Sequence, residues 1–314
     1  MKTESKLRPV ATPPGSTPPV STPPGSTLRT DAAIQRSKTS PLRRVVFFGV
    51  LSILTIPFVF PTWWMVTSSL KPIADIFAFP PTLWPANPTL DAYADVFALQ
   101  PFAQQYFNSL YIAVVVTLGT MLVSSLAGYA FARIRFRGQN ALFLVVLVGL
   151  LIPSEVTIVP LFQIFNQLGL INTHWPLILV STFGAPSVLA TFIMRQFFIS
   201  LPVELEEAAR LDGLGRLATW WRIAMPLART ALAAVSIFTF LHVWNLYLEP
   251  TVYLLTPELF TLPQALTRYT DAYGGEMWNV QLAAATLTAL PVLVVFVVAQ
   301  KQFVEGLAQT GLKG

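Results

Sequence analysis

Leu201-Pro-Val-Glu-Leu-Glu-Glu-Ala-Ala-Arg-Leu-Asp-Gly213, continuing through Leu214-Gly-Arg-Leu-Ala-Thr-Trp-Trp-Arg to Ile223-Ala-Met-Pro226, is the stretch on which the reading of this chain turns. Pro202 suits the first turn of a helix, where a missing N–H costs nothing, and Ser200 is placed to cap it. Glu204, Glu206 and Glu207 then fall near the positive end of the helix dipole. Leu205, Ala208, Ala209 and Leu211 form a narrow apolar stripe with a small-residue centre. Gly213 breaks that helix, and a second helical stretch carries Leu217, Trp220, Trp221 and Ile223 until Pro226 ends it. Helix, glycine bend, helix predicts a compact docking element. An amphipathic hairpin lying on lipid headgroups, with Trp220 and Trp221 as anchors, has the same pattern.

The chain around this stretch is too apolar for water. Of 314 residues 54% are hydrophobic and 11% charged, against roughly 25% charged in soluble proteins, and the mean hydropathy is +0.60. Six apolar stretches reach the about 20 residues a membrane helix needs: 45–67, 109–131, 141–162, 175–194, 230–248 and 280–300. Only the third holds a charged residue, Glu155. Their continuous apolar character, without two-residue alternation, predicts an all-α membrane protein rather than a barrel.

The few charges give the orientation. With the N-terminus in the cytoplasm, 18 of the 20 Lys and Arg lie on the inside, leaving only Lys71 and Arg268 outside. That asymmetry predicts six spans with both termini cytoplasmic. Nine charged residues fall in 195–229, which is thereby an inside loop. Residues 1–44 differ from the rest: three tandem units beginning Thr-Pro-Pro, at Thr12, Thr17 and Thr22, predict a disordered cytoplasmic tail. The 45–314 remainder is read as one membrane domain. Cysteine is absent and the two histidines, His174 and His242, are far apart, which argues against thiolate chemistry and a metal site.

The order Glu207-Ala-Ala, three residues, Gly213, nine residues, Ile223-x-Met-Pro226 resembles the coupling motif of ABC importer permeases. Members of that family usually carry Leu where Met225 stands, a change of similar volume. Further stretches resemble its carbohydrate-uptake subgroup, as in the second membrane subunit of maltose-type importers: Phe107-Asn108-Ser109, Gly128-Tyr-Ala-Phe-Ala-Arg133 with Arg135-Phe-Arg-Gly138, Ile152-Pro-Ser-Glu155, Leu168-Gly169-Leu-Ile-Asn172-Thr173, Trp244-Asn245-x-Tyr247-x-x-Pro250, and Phe303-Val-Glu-Gly306 with Lys313-Gly314 at the end.

The resemblance implies an ABC importer type I permease fold and a non-enzymatic subunit forming half of a translocation pathway. Glu206, Glu207, Ala208, Ala209, Asp212, Gly213, Ile223 and Pro226 would couple it to a separate ATP-binding cassette ATPase dimer, which holds the ATP and Mg. This chain binds no cofactor of its own. The other implied partners are a second permease subunit, an extracytoplasmic substrate-binding protein reached through 251–279, and membrane lipid. The tail 303–314 would touch the ATPase, and no nucleic acid is involved.

The residues agree independently. No G-x-x-x-x-G-K-[ST] phosphate loop is present, so this chain does not bind ATP by that device. Within the spans only Glu155 and His242 ionise, fewer groups than an ion-coupled carrier ordinarily needs. A membrane-embedded hydrolase would call for a G-x-S-x-G or H-E-x-x-H signature, and neither occurs. Sugars are held by stacking and hydrogen bonds, which nominates Glu155, Trp244, Asn245 and Tyr247 for the path. Each also fits an interhelical hydrogen bond or an interfacial anchor. Glycerol phosphate or another polyol is the alternative cargo, and an ion-coupled secondary transporter the alternative class.

Overall fold

A computed structural model describes residues 41–271 and 273–311. Most of the Pro-rich tail, residues 1–40, lies outside them, as does the chain end at 312–314. The chain divides into two units, Met1–Thr55 and Ile56–Gly314. The described part of the first is the leading half of helix α1 (Pro41–Ser68), whose side chains from Leu42 to Phe60 are exposed and mostly apolar. Residues 41–44, assigned to the tail from sequence, are therefore helical; proline at a first helical position is pre-organised for it.

The second unit is all-helical among the described residues, apart from one isolated bridge between Thr270 and Glu276. Short helices α2 (Ile73–Ile76) and α3 (Asp91–Leu99) follow α1. Lys71, between α1 and α2, is only 1% exposed. Its Nζ donates to the Thr82 carbonyl and sits 4.3 Å over the Trp64 ring. Burial lowers its pKa, with Asp75 pulling the other way.

Helix α4 (Phe102–Arg133) is the axis of the unit. Its buried positions recur every three or four residues from Phe102 to Tyr129, and many are small or hydroxylated, including Ser109, Ala113, Thr117, Thr120, Ser124, Ser125 and Gly128. Small residues permit the close helix approach that drives packing in lipid. A Cβ at Gly128 would lie 2.7 Å from Met194 Cβ and 2.9 Å from the Arg195 backbone nitrogen. Here α4 rests directly on α8 (Ala185–Ser200).

The third apolar stretch is not one straight span. It forms α5 (Gln139–Val148), a 3-10 turn at Gly149–Leu151 and α6 (Ser154–Gln167), with a 97° bend between the two arms. Ile152 and Pro153 are both extended, because a residue before proline is driven out of the helical region. Helix α7 (Trp175–Phe183) joins α8 through Gly184. Next come α9 (Glu204–Leu211), α10 (Arg216–Thr219), a π turn at Trp220–Ala224, and α11 (Met225–Leu227). After an 80° bend α12 (Arg229–Trp244) follows. It ends before Asn245, short of the expected 248, and at about 24 Å falls below the roughly 30 Å of a bilayer core. Helices α13 (Leu248–Tyr253), α14 (Leu262–Leu266) and α15 (Trp278–Gly311) complete the order.

Four helical segments are long and apolar enough to cross a membrane: Leu42–Ser68, Phe102–Arg133, Trp175–Ser200 and Trp278–Val298. The count reaches six when each bent pair is taken as one span. Two buried clusters divide the second unit. One gathers Phe102, Ile112 and Val116 of α4 with Trp244, Tyr253, Leu254, Phe260, Leu262 and Tyr269. The other gathers Tyr129 with Met194, Phe198, Trp220, Ala224 and Leu232.

Candidate functional site

The hairpin 204–227 differs from its sequence-based outline in three places. Ser200 does not cap α9: it is the last residue of α8, and its hydroxyl donates to the Phe197 carbonyl. Leu201, preceding Pro202, is extended, so the cap position shifts to Val203, which has no side chain to fill it. Pro226 does not close the second arm, which runs one residue further before Ala228 turns the chain. The Met225 N–H reaches the Trp220 carbonyl, the wide spacing of a π turn. Pro226 lacks the N–H that would bond the Arg222 carbonyl, and the widened turn falls in the residues before it.

The third difference concerns the stripe. At about 100° per residue, Leu211 lies about 200° around the helix from Ala209. Ala209 is buried against the bundle, whereas Leu211 is 89% exposed, together with Leu205, Glu207, Ala208 and Asp212. Glu206 turns inward. Its Oε1 lies 3.3 Å from Arg133 Nε, with the two side chains 14% and 9% exposed, and the Tyr129 hydroxyl lies in hydrogen-bonding reach. Arg133 Nη2 donates to the Leu201 carbonyl at the foot of α9. Arg210, one turn along, adds an exposed contact at 3.8 Å.

The bend itself is a Schellman closure. Gly213 has φ +78°, its N–H donates to the Arg210 carbonyl, and the Leu214 N–H to that of Ala209. Only glycine adopts this backbone without steric cost. On the second arm Trp220 and Ala224 are buried, Ile223 half-buried, and Leu217, Trp221 and Pro226 exposed. One side of the hairpin is thus fastened to the bundle. Val203, Leu211, Leu217 and Trp221 remain more than half exposed, and Leu205, about 40° around α9 from Ala209, lies at the edge of the attachment.

At the opposite end of α4 a second element is built from Asn108, Ser109 and Asn172, quoted in motifs without a task, from His174, considered only as a metal ligand, and from Gln105 and Tyr111, which sequence reading missed. Gln105 Nε2 donates to the Pro257 carbonyl, and Asn108 Nδ2 to those of Glu258 and Phe260, at 2.8 and 3.1 Å. Ser109 Oγ accepts from the Leu262 N–H at 2.7 Å. Asn172, at φ +60°, accepts through Oδ1 from the Leu255 and Thr256 N–H groups. His174 Nε2 is bonded to the Leu259 carbonyl, which assigns the proton to that nitrogen, and Nδ1 to the Tyr111 hydroxyl. Burial lowers the His174 pKa, opposed by the Leu259 hydrogen bond. The segment 254–262 is clamped along its backbone.

The residues nominated for a sugar path are dispersed. Trp244 is enclosed, 2% exposed, stacked on Phe240 and edge-on to Tyr106, with its Nε1 donating to the Thr288 carbonyl. It packs a core instead of facing a path. Asn245 is exposed and its Nδ2 caps the Leu241 carbonyl at the end of α12. Tyr247 is half-exposed and Glu155 sits exposed in the first turn of α6. A cavity of about 810 Å³ opens among α6, α7, α8 and α12, and none of the four lines it. Its walls are largely apolar, with Thr157, Ser181, Thr239, His242 and Glu249 as polar points.

The chain belongs to a known class, the family of binding-protein-dependent transport system inner membrane components, matched over residues 121–309. Within that class it is similar to the arabinooligosaccharides transport system permease protein AraQ of Halalkalibacterium halodurans, 39% identical over 66% of this chain and 73% of that protein. It is also similar to the sn-glycerol-3-phosphate transport system permease protein UgpE of Yersinia enterocolitica, 36% identical over 67% of this chain and 74% of that one. A chain of a bacterial ABC transporter importing the acidic polysaccharide alginate shares its fold, with a TM-score of 0.73 at 23% identity over 84% of this chain and 98% of that one.

Proposed function

We propose that this permease carries a sugar or oligosaccharide inward, paired with a second permease subunit, and is driven by a separate ATP-binding cassette dimer seated on the hairpin 204–227. The observation that carries this is the two-sided hairpin: one face fastened to the bundle, the other an unpartnered apolar surface flanked by Glu207 and Asp212. ATP and Mg belong to that partner. The positive-inside asymmetry puts the hairpin and both termini in the cytoplasm, making six spans with the bent pairs counted as one each. The clamped segment 254–262 then faces outward, where an extracytoplasmic binding protein docks.

A polyol phosphate is the second reading, favoured by the likeness to the glycerol-3-phosphate permease. The sugar reading is preferred because the outward side offers only two cations, of which Lys71 is buried and Arg268 alone is exposed. Lys71 is buried against Trp64 and Thr82, and Arg268 lies 5.7 Å over Phe260. Leu211→Asp tests the docking, since the side chain is exposed and the fold does not need it. Co-expressed with its ATPase and partner permease, the variant is expected at wild-type membrane levels with the ATPase lost on purification. Retention of the ATPase, with uptake intact, would remove the docking assignment. Uptake of labelled arabinooligosaccharide against labelled glycerol 3-phosphate separates the two cargoes.

A further inference from the structure

Helix α4, like α12, contributes to both buried clusters, and its side chains bond both the foot of the hairpin and the segment 257–262. It runs about 48 Å at about 1.5 Å per residue, and it is the only described helix longer than 20 residues without an interior proline. Prolines at 57, 61 and 291 interrupt the other two, and proline is where long helices kink. At its Arg133 end it holds α9 through the Glu206 ion pair and the bond to the Leu201 carbonyl. At its Phe102 end, Gln105, Asn108 and Ser109, on successive turns, hold the backbone of 257–262. Both attachments join residues far apart in sequence, so neither is a by-product of local helix geometry.

We propose that Arg133, Tyr129 and Glu206 form a clasp by which α4 follows the hairpin, so that α4 acts as a strut delivering hairpin movement to the segment 257–262. These are positioning residues: their side chains are turned into the bundle, away from the exposed face of the hairpin. Glu206 thereby has a different task from Glu207, its neighbour in the motif. Glu207 lies on the outward face, and Glu206 ties that face to the strut. Two features make the transfer stiff. The ion pair is nearly enclosed, where charges attract more strongly than in water, although its 3.3 Å contact at Arg133 Nε is not a hydrogen bond. Backbone contact at Gly128 leaves α4 no room to slide against α8. The proposal rests on the docking reading above.

The chain has no cysteine, so Glu258→Cys introduces a single thiol on the clamped segment. In the assembled complex, its labelling rate by a membrane-impermeant maleimide is measured with and without ATP, following the band of this chain. The expected response in the otherwise wild-type chain is about tenfold, typical of coupling between distant sites. The neutral pair Arg133→Gln with Glu206→Gln removes both charges together and so leaves none stranded. It is expected to assemble and retain the ATPase, while the labelling rate ceases to respond to ATP. The conservative variant Arg133→Lys, which keeps a cationic donor beside Glu206, is expected to keep the response. A neutral pair that responds like the wild type overturns the strut, as does a wild-type clasp with no response while the ATPase is bound. Loss of the ATPase from the wild-type chain would instead count against the docking reading.

Discussion

The two ends of α4 are held by different chemistry. At the Phe102 end, Gln105, Asn108, Ser109, Asn172 and His174 bond the backbone of 254–262 nearly residue by residue. At the Arg133 end the hairpin is held mainly by packing of Trp220, Ala224 and Ala209, with the Arg133–Glu206 ion pair, the Tyr129 hydroxyl beside it and the Arg133 bond to the Leu201 carbonyl, and Leu211, Leu217 and Trp221 are left exposed. Directional hydrogen bonds fix a loop in one shape, because a buried carbonyl left without a donor costs the full desolvation penalty. Apolar packing is non-directional and allows an element to shift as a body. Under the proposed coupling, the loop keeps its form while it is carried and the hairpin is the part that is pushed.

The harshest test strikes the crossing that serves both ends. Gly128→Val places a branched side chain where a Cβ would already lie 2.9 Å from backbone of α8. Since that neighbour is not a flexible side-chain tip, the helices must part, at a cost of about 3 kcal/mol or more. The expected outcome is loss of monodisperse protein in detergent and a large fall in melting temperature. A variant that elutes and melts like the wild type would mean that the contact is not structural.

A smaller effect, confined to one end, is expected from Asn108→Ala. It strips the Glu258 and Phe260 carbonyls of their donor, and only the second is buried, so the cost is about 1–2 kcal/mol. Limited proteolysis should then cut within 254–276 faster by an order of magnitude, with the hairpin cut at its former rate. Equal acceleration at both sites would erase the distinction between a clamped end and a packed one.

How much of this was legible in the sequence follows the range of the interactions. Local signals were readable: the Gly213 bend, the acidic first turn of α9 and the apolar stretches depend on neighbours within a few residues. The bend at Pro153 was legible as a proline but not in its size, because a kink and a 97° break differ only in whether Ile152 also leaves the helix. Leu211 was misplaced by counting apolar residues without their angles. The remainder lies beyond any local pattern. Asn108 meets Glu258 across 150 residues, and Arg133 meets Glu206 from a different helix. Both appeared in quoted motifs, but a motif does not say what its members hold. Trp244, chosen as a sugar platform because it is aromatic and sits by a span end, proved to be core for the same reason that aromatics usually are: it buries large area with a single polar atom to satisfy.

The mildest change in stability tests the hairpin end alone. Gly213 stands at φ +78° with no atom within 4 Å of an added Cβ, so Gly213→Val meets no clash and its cost is backbone strain, about 1–2 kcal/mol. The bundle does not depend on that bend, and protein level and melting temperature should change little. The strain is relieved by opening the Schellman closure, which frees the Leu214 N–H from the Ala209 carbonyl and alters the angle between α9 and the second arm. A lever with the wrong angle still contacts its driver but no longer moves its load. ATP hydrolysis by the assembled complex is therefore expected to persist while uptake per ATP falls. The clamped segment should show unchanged proteolysis, in contrast to Asn108→Ala. Normal uptake by Gly213→Val would show that the bend angle carries no movement, and the difference between the two ends of α4 would then be one of packing alone.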